Sequence, residues 1–268
     1  MKAFVIDISK CSGCYNCQIA CKDEHVGNDW MPYSKPQPNS GQFWMKVDQK
    51  DHGQVPKVRV EYTPRPCMHC ANPKCLEVAP DAGYVREDGL VILDPLKAKG
   101  HKEIVDACPY GAVYWNTELE IPQKCTGCAH LVDKGMIPHC VDLCDTGALR
   151  FGDEEDFVEE IGTAEVLLPE SGCKPRVYYL NRPHLFLAAD VYDPEADEIV
   201  EGATVTLTMP DGTTRQTQTD DFGDFYFKRI DPGTYQIEID ADGFEKVCKK
   251  NIEINASLNL GSIPLSRR

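Results

Sequence analysis

Cysteine spacing constrains this chain more than any other feature. Residues 11–21 read CSGCYNCQIAC, a complete C-x2-C-x2-C-x3-C run of Cys11, Cys14, Cys17 and Cys21. Residues 125–144 carry a looser group, Cys125, Cys128, Cys140 and Cys144. Between them lie CMHCANPKC, with Cys67, Cys70 and Cys75, and an isolated Cys108 followed by Pro109. Fourteen cysteines in 268 residues are too many for an ordinary soluble chain. In a reducing compartment, clustered Cys-x2-Cys pairs mean metal rather than disulfides. Tight runs of this kind suit iron–sulfur clusters, which need several thiolates converging from turns.

In two-cluster ferredoxins the first three cysteines of a run hold one cluster and the fourth ligates the other. Applied here, Cys11, Cys14, Cys17 and Cys144 make one site, and Cys125, Cys128, Cys140 and Cys21 make its neighbour. The middle groups look incomplete under the same rule. Ala79 stands before Pro80 where a fourth cysteine belongs, and counting back from Cys108 lands on Ile104, His101 and Ala98. Crosswise pairing resolves the gap. Cys67, Cys70 and Cys75 pair with Cys108, and all four missing ligands fall in one further site, deleted whole. The remaining twelve cysteines make three sets of four. Full sets favour a [4Fe–4S] cubane over a three-iron centre. Cys-x2-Cys pairs also make tetrahedral zinc sites, but zinc ribbons seldom place four cysteines within eleven residues or end on Cys-Pro.

After Cys144 the cysteines almost stop, and only Cys173 and Cys248 follow. Residues 1–152 read as an α+β, ferredoxin-like double module with ligand loops and hairpin pieces such as GYVREDGLVILDP (83–95). Residues 153–161 read as a short acidic helix, and 174–183 as an extended segment ending in a Pro linker. From 185 to 268 short alternating runs (ATVTLTM, DFYFKRI, TYQIEIDA) separated by PDG, DFGD and DPG predict a small all-β sandwich. The boundary falls near residue 184.

The net charge of −15 argues against nucleic acid, whose phosphates must be met by Lys and Arg. It suits solubility and steering toward a positive surface on another protein. MKAFVIDISKC opens the chain as a strand running into a ligand loop rather than as a signal peptide, and no apolar run is long enough to span a bilayer. The expected location is cytoplasmic; the alternative is export, already folded, with a signal-bearing partner.

CSGCYNCQIAC, RPCMHCANPKC, REDGLVILDPLKAKG, CPYGAVYWN, QKCTGCAH and KPRVYYLN together resemble the iron–sulfur subunits of molybdopterin enzymes of the dimethyl sulfoxide reductase family. Such subunits usually hold four clusters in two ferredoxin-like halves and connect a large catalytic subunit to a redox partner. Two departures, the deleted site and the appended β-domain, resemble the phenol-transhydroxylase branch, whose small subunits combine three [4Fe–4S] clusters with a C-terminal immunoglobulin- or transthyretin-like domain. The resemblance implies a non-catalytic electron-transfer subunit. Its partner, a large subunit, would carry bis-molybdopterin guanine dinucleotide with molybdenum and the aromatic substrate. Alternatives are the electron-transfer subunit of another aromatic hydroxylase, dehydroxylase or respiratory reductase of the family, a free-standing polyferredoxin, or a zinc-stabilised interaction protein.

Other residues carry weaker signals. His69 could donate a hydrogen bond to a cluster sulfur or be a solvated loop histidine. His101 could help fill the deleted site. Trp115 and Tyr110 could shield a cluster or simply pack the core. Cys173 and Cys248 read as free thiols outside any ligand motif, a bridge between them being the alternative. TDDFGDF (219–225) lacks the spacing of a calcium loop and reads as a β-turn. No phosphate loop or Ser-His-Asp site is visible, and no catalytic residue is assigned.

Overall fold

The computed structural model describes residues 1–268. The chain forms two compact units, Met1–Gln49 with Tyr62–Arg182, and Lys50–Glu61 with Pro183–Arg268. No helix is long and apolar enough to cross a membrane.

The first unit is built on a three-stranded sheet with Lys2–Asp7 in the middle. That strand runs antiparallel to Leu149–Asp153, with Phe4 opposite Phe151, and parallel to Val177–Leu180, with Phe4 opposite Val177. A strand flanked on both sides reads as a near-continuous apolar run, and in KAFVID everything after Lys2 is buried. The extended segment around 174–183 is therefore more than a linker: VYYL supplies a sheet strand, and the Tyr179 hydroxyl donates to the Pro64 carbonyl at 3.0 Å. Two small antiparallel hairpins follow the ligand loops, Gly83–Val85 with Val91–Leu93 and Tyr114–Asn116 with Ile121–Gln123. The acidic segment after 153 forms a 3-10 turn at Glu154–Phe157 and one α-turn at Val158–Ile161.

The ten-residue helix Asn16–His25 buries Cys17, Ala20, Cys21 and His25, an i, i+3, i+4, i+8 stripe that brings two cysteines and a histidine inward. Short helical turns carry Cys75 (Lys74–Glu77) and Cys140 (His139–Asp142). A core of Phe4, Ile6, Trp44, Met45 and Tyr179 packs with Cys17, Cys21, Cys67, Cys125 and Cys140.

The second unit is a two-sheet β-sandwich. One sheet places Leu185–Asp193 between Asp224–Ile230 and the C-terminal strand Leu258–Pro264, with Glu198–Ile199 at its edge. The other has the order Thr214–Gln218, Thr204–Thr208, Gly233–Asp240, Val247–Ile254. Inward residues of both sheets, among them Leu187, Val205, Leu207, Phe225, Phe227, Ile237 and Ile254, form one core. Residues 50–61 join this unit although they lie far from it in sequence. They form the outer part of a hairpin (Lys46–Gln54 and Lys57–Arg65), where Gln54 accepts the Asn259 N–H at 2.8 Å and Lys57 pairs with Asp224. Nothing in local spacing announced that hairpin.

Candidate iron–sulfur sites

Each ligand loop depends on a tight backbone turn. In CSGC and CTGC, Gly13 and Gly127 adopt φ of +70° and +65°. A Cβ on Gly13 would come within 2.5 Å of the Tyr62 ring, and one on Gly127 within 2.7 Å of Leu90, so only glycine fits either place. In CMHC the same position is His69, also left-handed at +42°. The first loop is anchored upstream by Asp7, whose Oδ1 accepts from the Ser9 N–H (3.0 Å), the Ser9 hydroxyl (2.6 Å) and Asn181 Nδ2 (2.9 Å).

Cys11, Cys14, Cys17 and Cys144 line one cavity. Cys67, Cys70, Cys75 and Cys108 line another. Cys21, Cys125, Cys128 and Cys140 are all buried; burial, then mutual proximity, pushes the Cys21 and Cys140 thiols well above their ordinary range. Burial followed by neighbouring thiols drives Cys17 and Cys128 up to about 12, and Cys125 to about 11. Such groups become thiolates only when iron supplies the compensating charge. Backbone N–H groups already aim at sulfur: Gly127 at Cys125 and Leu149 at Cys144, both 3.3 Å, and His69 at Cys67, 3.5 Å. The donor set therefore fits clusters.

The set of Cys21, Cys125, Cys128 and Cys140 neighbours both others. Cys17 and Cys21 lie one helical turn apart, and Cys17 acts electrostatically on Cys140 of the middle set. On its other side Cys67 acts on Cys125. The four positions of the deleted site behave differently. Ala79, Ala98 and Ile104 are buried in one small apolar core with Ala82, Val91, Leu93 and Val113. His101 is not part of that core; it is partly exposed and pairs with Glu103 at 2.8 Å.

Three side chains near the sulfurs carried little or no sequence signal. Lys124 is completely buried, and its ammonium donates to the carbonyls of Val91 and Cys125. Burial pulls its pKa down, yet Cys67, Cys75 and Cys125 more than offset this and keep it protonated. His25 places Nε2 3.8 Å from Cys128 Sγ, and burial lowers its pKa to about 3. Cys173, read as a free thiol outside any ligand motif, is buried on the wall of the Cys67 cavity. The only advance hint was Lys124's place directly before Cys125. His69 is buried, not solvated. Tyr110 is buried against the same cavity, with its hydroxyl 3.2 Å from Ser171 Oγ; Trp115 is half-buried in a hairpin strand. Cys248 is an exposed free thiol on a sandwich strand. In TDDFGDF, Asp220 accepts the N–H groups of Phe222 and Asp224, which makes a turn.

Comparison with known proteins bears out the two-part fold and 4Fe–4S binding. A 4Fe-4S dicluster domain model matches residues 58–154, and a carboxypeptidase regulatory-like domain model matches residues 187–261. The chain is 40% identical to the pyrogallol hydroxytransferase small subunit of Pelobacter acidigallici, over 97% of this chain and 98% of that one. It belongs to the pyrogallol hydroxytransferase small-subunit family. Relatives from other enzymes match over a smaller share of the chain. A tetrathionate reductase subunit of Salmonella typhimurium is 34% identical over 69% of this chain and 74% of its own. A putative dimethyl sulfoxide reductase iron–sulfur subunit of Halobacterium salinarum is 33% identical over 66% and 78%. As a pyrogallol hydroxytransferase-type small subunit, the chain is an electron-transfer protein that binds 4Fe–4S clusters through its dicluster domain.

Proposed function

We propose that this chain carries three [4Fe–4S] clusters in series and serves a large molybdopterin-bearing catalytic subunit that acts on phenols of the pyrogallol type. The carrying observation is that twelve cysteines gather into three sets of four, two of them each lining a single cavity. Cys11, Cys14, Cys17 and Cys144 hold the first cluster. Cys21, Cys125, Cys128 and Cys140 hold the second. Cys67, Cys70, Cys75 and Cys108 hold the third. When bound, the clusters supply one-electron transfer. The chain's residues hold them, exclude water and set the surrounding charge.

Bis-molybdopterin guanine dinucleotide with molybdenum belongs to the partner, a reading supported by the relative from Pelobacter acidigallici being a small subunit. Net hydroxyl transfer between phenols consumes no electrons, so the relay keeps the molybdenum at its working oxidation state. Coverage of nearly the whole chain, β-domain included, favours this reading over a reductase with net electron flow. We place the complex in the cytoplasm, where clustered thiols stay reduced.

The test is to purify the native complex anaerobically and measure iron, acid-labile sulfide and molybdenum. The expected result is a second, larger chain carrying molybdenum, with iron and sulfide for three clusters on this one. A stable, metal-replete chain active without a partner would overturn the assignment.

A further inference from the structure

Cys173 belongs to no Cys-x2-Cys run, yet it lies with Cys67, Cys70, Cys75 and Cys108 on the wall of one cavity and is completely buried. Backbone pairing fixes it there. The Asn72 N–H donates to the Cys173 carbonyl at 2.9 Å and the Ala71 N–H to the Lys174 carbonyl at 2.8 Å. The Cys173 N–H donates to Ser171 Oγ at 3.3 Å. The residues immediately after Cys70 are thus tied to Cys173 and its neighbour. The Cys173 sulfur also lies close enough to act electrostatically on Cys70. Its thiol has one weak partner, the Ser171 carbonyl at 3.9 Å.

A buried cysteine is ordinarily a small apolar side chain. This one faces a site where Cys67 and Cys75 are buried but Cys70 and Cys108 are partly exposed, and it is the loop after Cys70 that its backbone is tied to. A thiolate that solvent reaches is the first to be oxidised or alkylated.

We propose that Cys173 is a reserve iron ligand of the third site, positioned to replace Cys70. The inference rests on the reading of Cys67, Cys70, Cys75 and Cys108 as cluster ligands. In the exchange the iron–sulfur bond to Cys70 breaks and one to Cys173 forms. The proton of the Cys173 thiol passes to the released Cys70 thiolate, or to water where Cys70 has been alkylated or replaced. No electron moves, and no outside reactant is needed.

The test uses the native complex with Cys173→Ala, Cys70→Ala and the double variant, read by iron and sulfide content and by electron paramagnetic resonance of the reduced protein. Cys173→Ala should keep its full iron. Cys70→Ala should also keep it, with an altered third signal, whereas the double variant should lose a third of its iron together with that signal. Loss of the same third in Cys70→Ala alone would overturn the inference while leaving the ligand reading intact. A wild-type complex with no third signal would overturn both. If Cys70→Ala does not accumulate, iodoacetamide provides a second route: alkylation of Cys70 should spare the iron in wild type and release it in Cys173→Ala. Equal release in the two would overturn the exchange.

Discussion

The His69 imidazole connects two sets of cysteines. It grows from the loop between Cys67 and Cys70, but its Nε2 lies 3.8 Å from Sγ of Cys125, in the next set. Its Nδ1 accepts the Val91 N–H at 3.0 Å, which leaves the proton on Nε2, facing sulfur. A hydrogen bond to sulfur stabilises the more negative, reduced cluster and so raises its potential. His69→Leu should therefore lower the potential of the cluster held by Cys125 more than that of the one held by Cys67. His69→Gln, which keeps an N–H, should recover part of the loss. Redox titration followed by electron paramagnetic resonance checks both; unchanged potentials would remove the proposed bond.

Lys124 is a buried cation whose countercharges are sulfurs of two sets. Lys124→Met keeps the length of the side chain and removes the charge. The same titration should show the second and third clusters becoming harder to reduce, while the cluster of Cys11, Cys14, Cys17 and Cys144 stays where it was. A shift confined to that outer cluster would contradict the placement.

Crosswise ligation makes a prediction about pairs. Cys67→Ser and Cys108→Ser, forty-one residues apart in the chain, should extinguish the same resonance signal and leave the other two. Ala79→Cys should add no fourth cluster, because its companions Ala98 and Ile104 are core residues. Ile104→Ala should instead destabilise the first unit by about 2–5 kcal/mol, measured by chemical denaturation under anaerobic conditions.

Asp193 and Arg267 should give the β-sandwich a pH-dependent component. Burial opposes ionisation of Asp193. The Arg267 guanidinium at 2.7 Å and the N–H groups of Glu195 and Ala196 outweigh it, holding the carboxyl below its usual 3.8. A depressed carboxylate contributes stability that is present above the unfolded value and lost as pH falls through the folded one. Arg267→Gln should therefore lower the melting midpoint of the sandwich at neutral pH. The difference from wild type should close below 3.8 as Asp193 protonates. A gap that persists in acid would point to packing rather than charge.

Chain order alone carried the ligand grammar. Metal binding demands thiolates at short, repeated separations, and those separations survive in one dimension, so the runs around Cys11, Cys67 and Cys125 and the strands of the sandwich could be read directly. The glycines at 13 and 127 belong to the same class, since a turn between two ligands is a local requirement. Lys124, His25, His69 and Cys173 are different. A single lysine, histidine or cysteine acquires meaning only from the distant loop it folds against, and no local pattern records that a loop from residue 173 lies beside one from residue 70. The hairpin tip at 50–61 joins the sandwich for the same reason, through partners such as Asn259 and Asp224 roughly two hundred residues away. Spacing picked out the twelve cysteines of the runs as candidate ligands. Long-range packing decided which side chains surround the sulfurs, because burial, charge and hydrogen-bond reach exist only once separate loops have met.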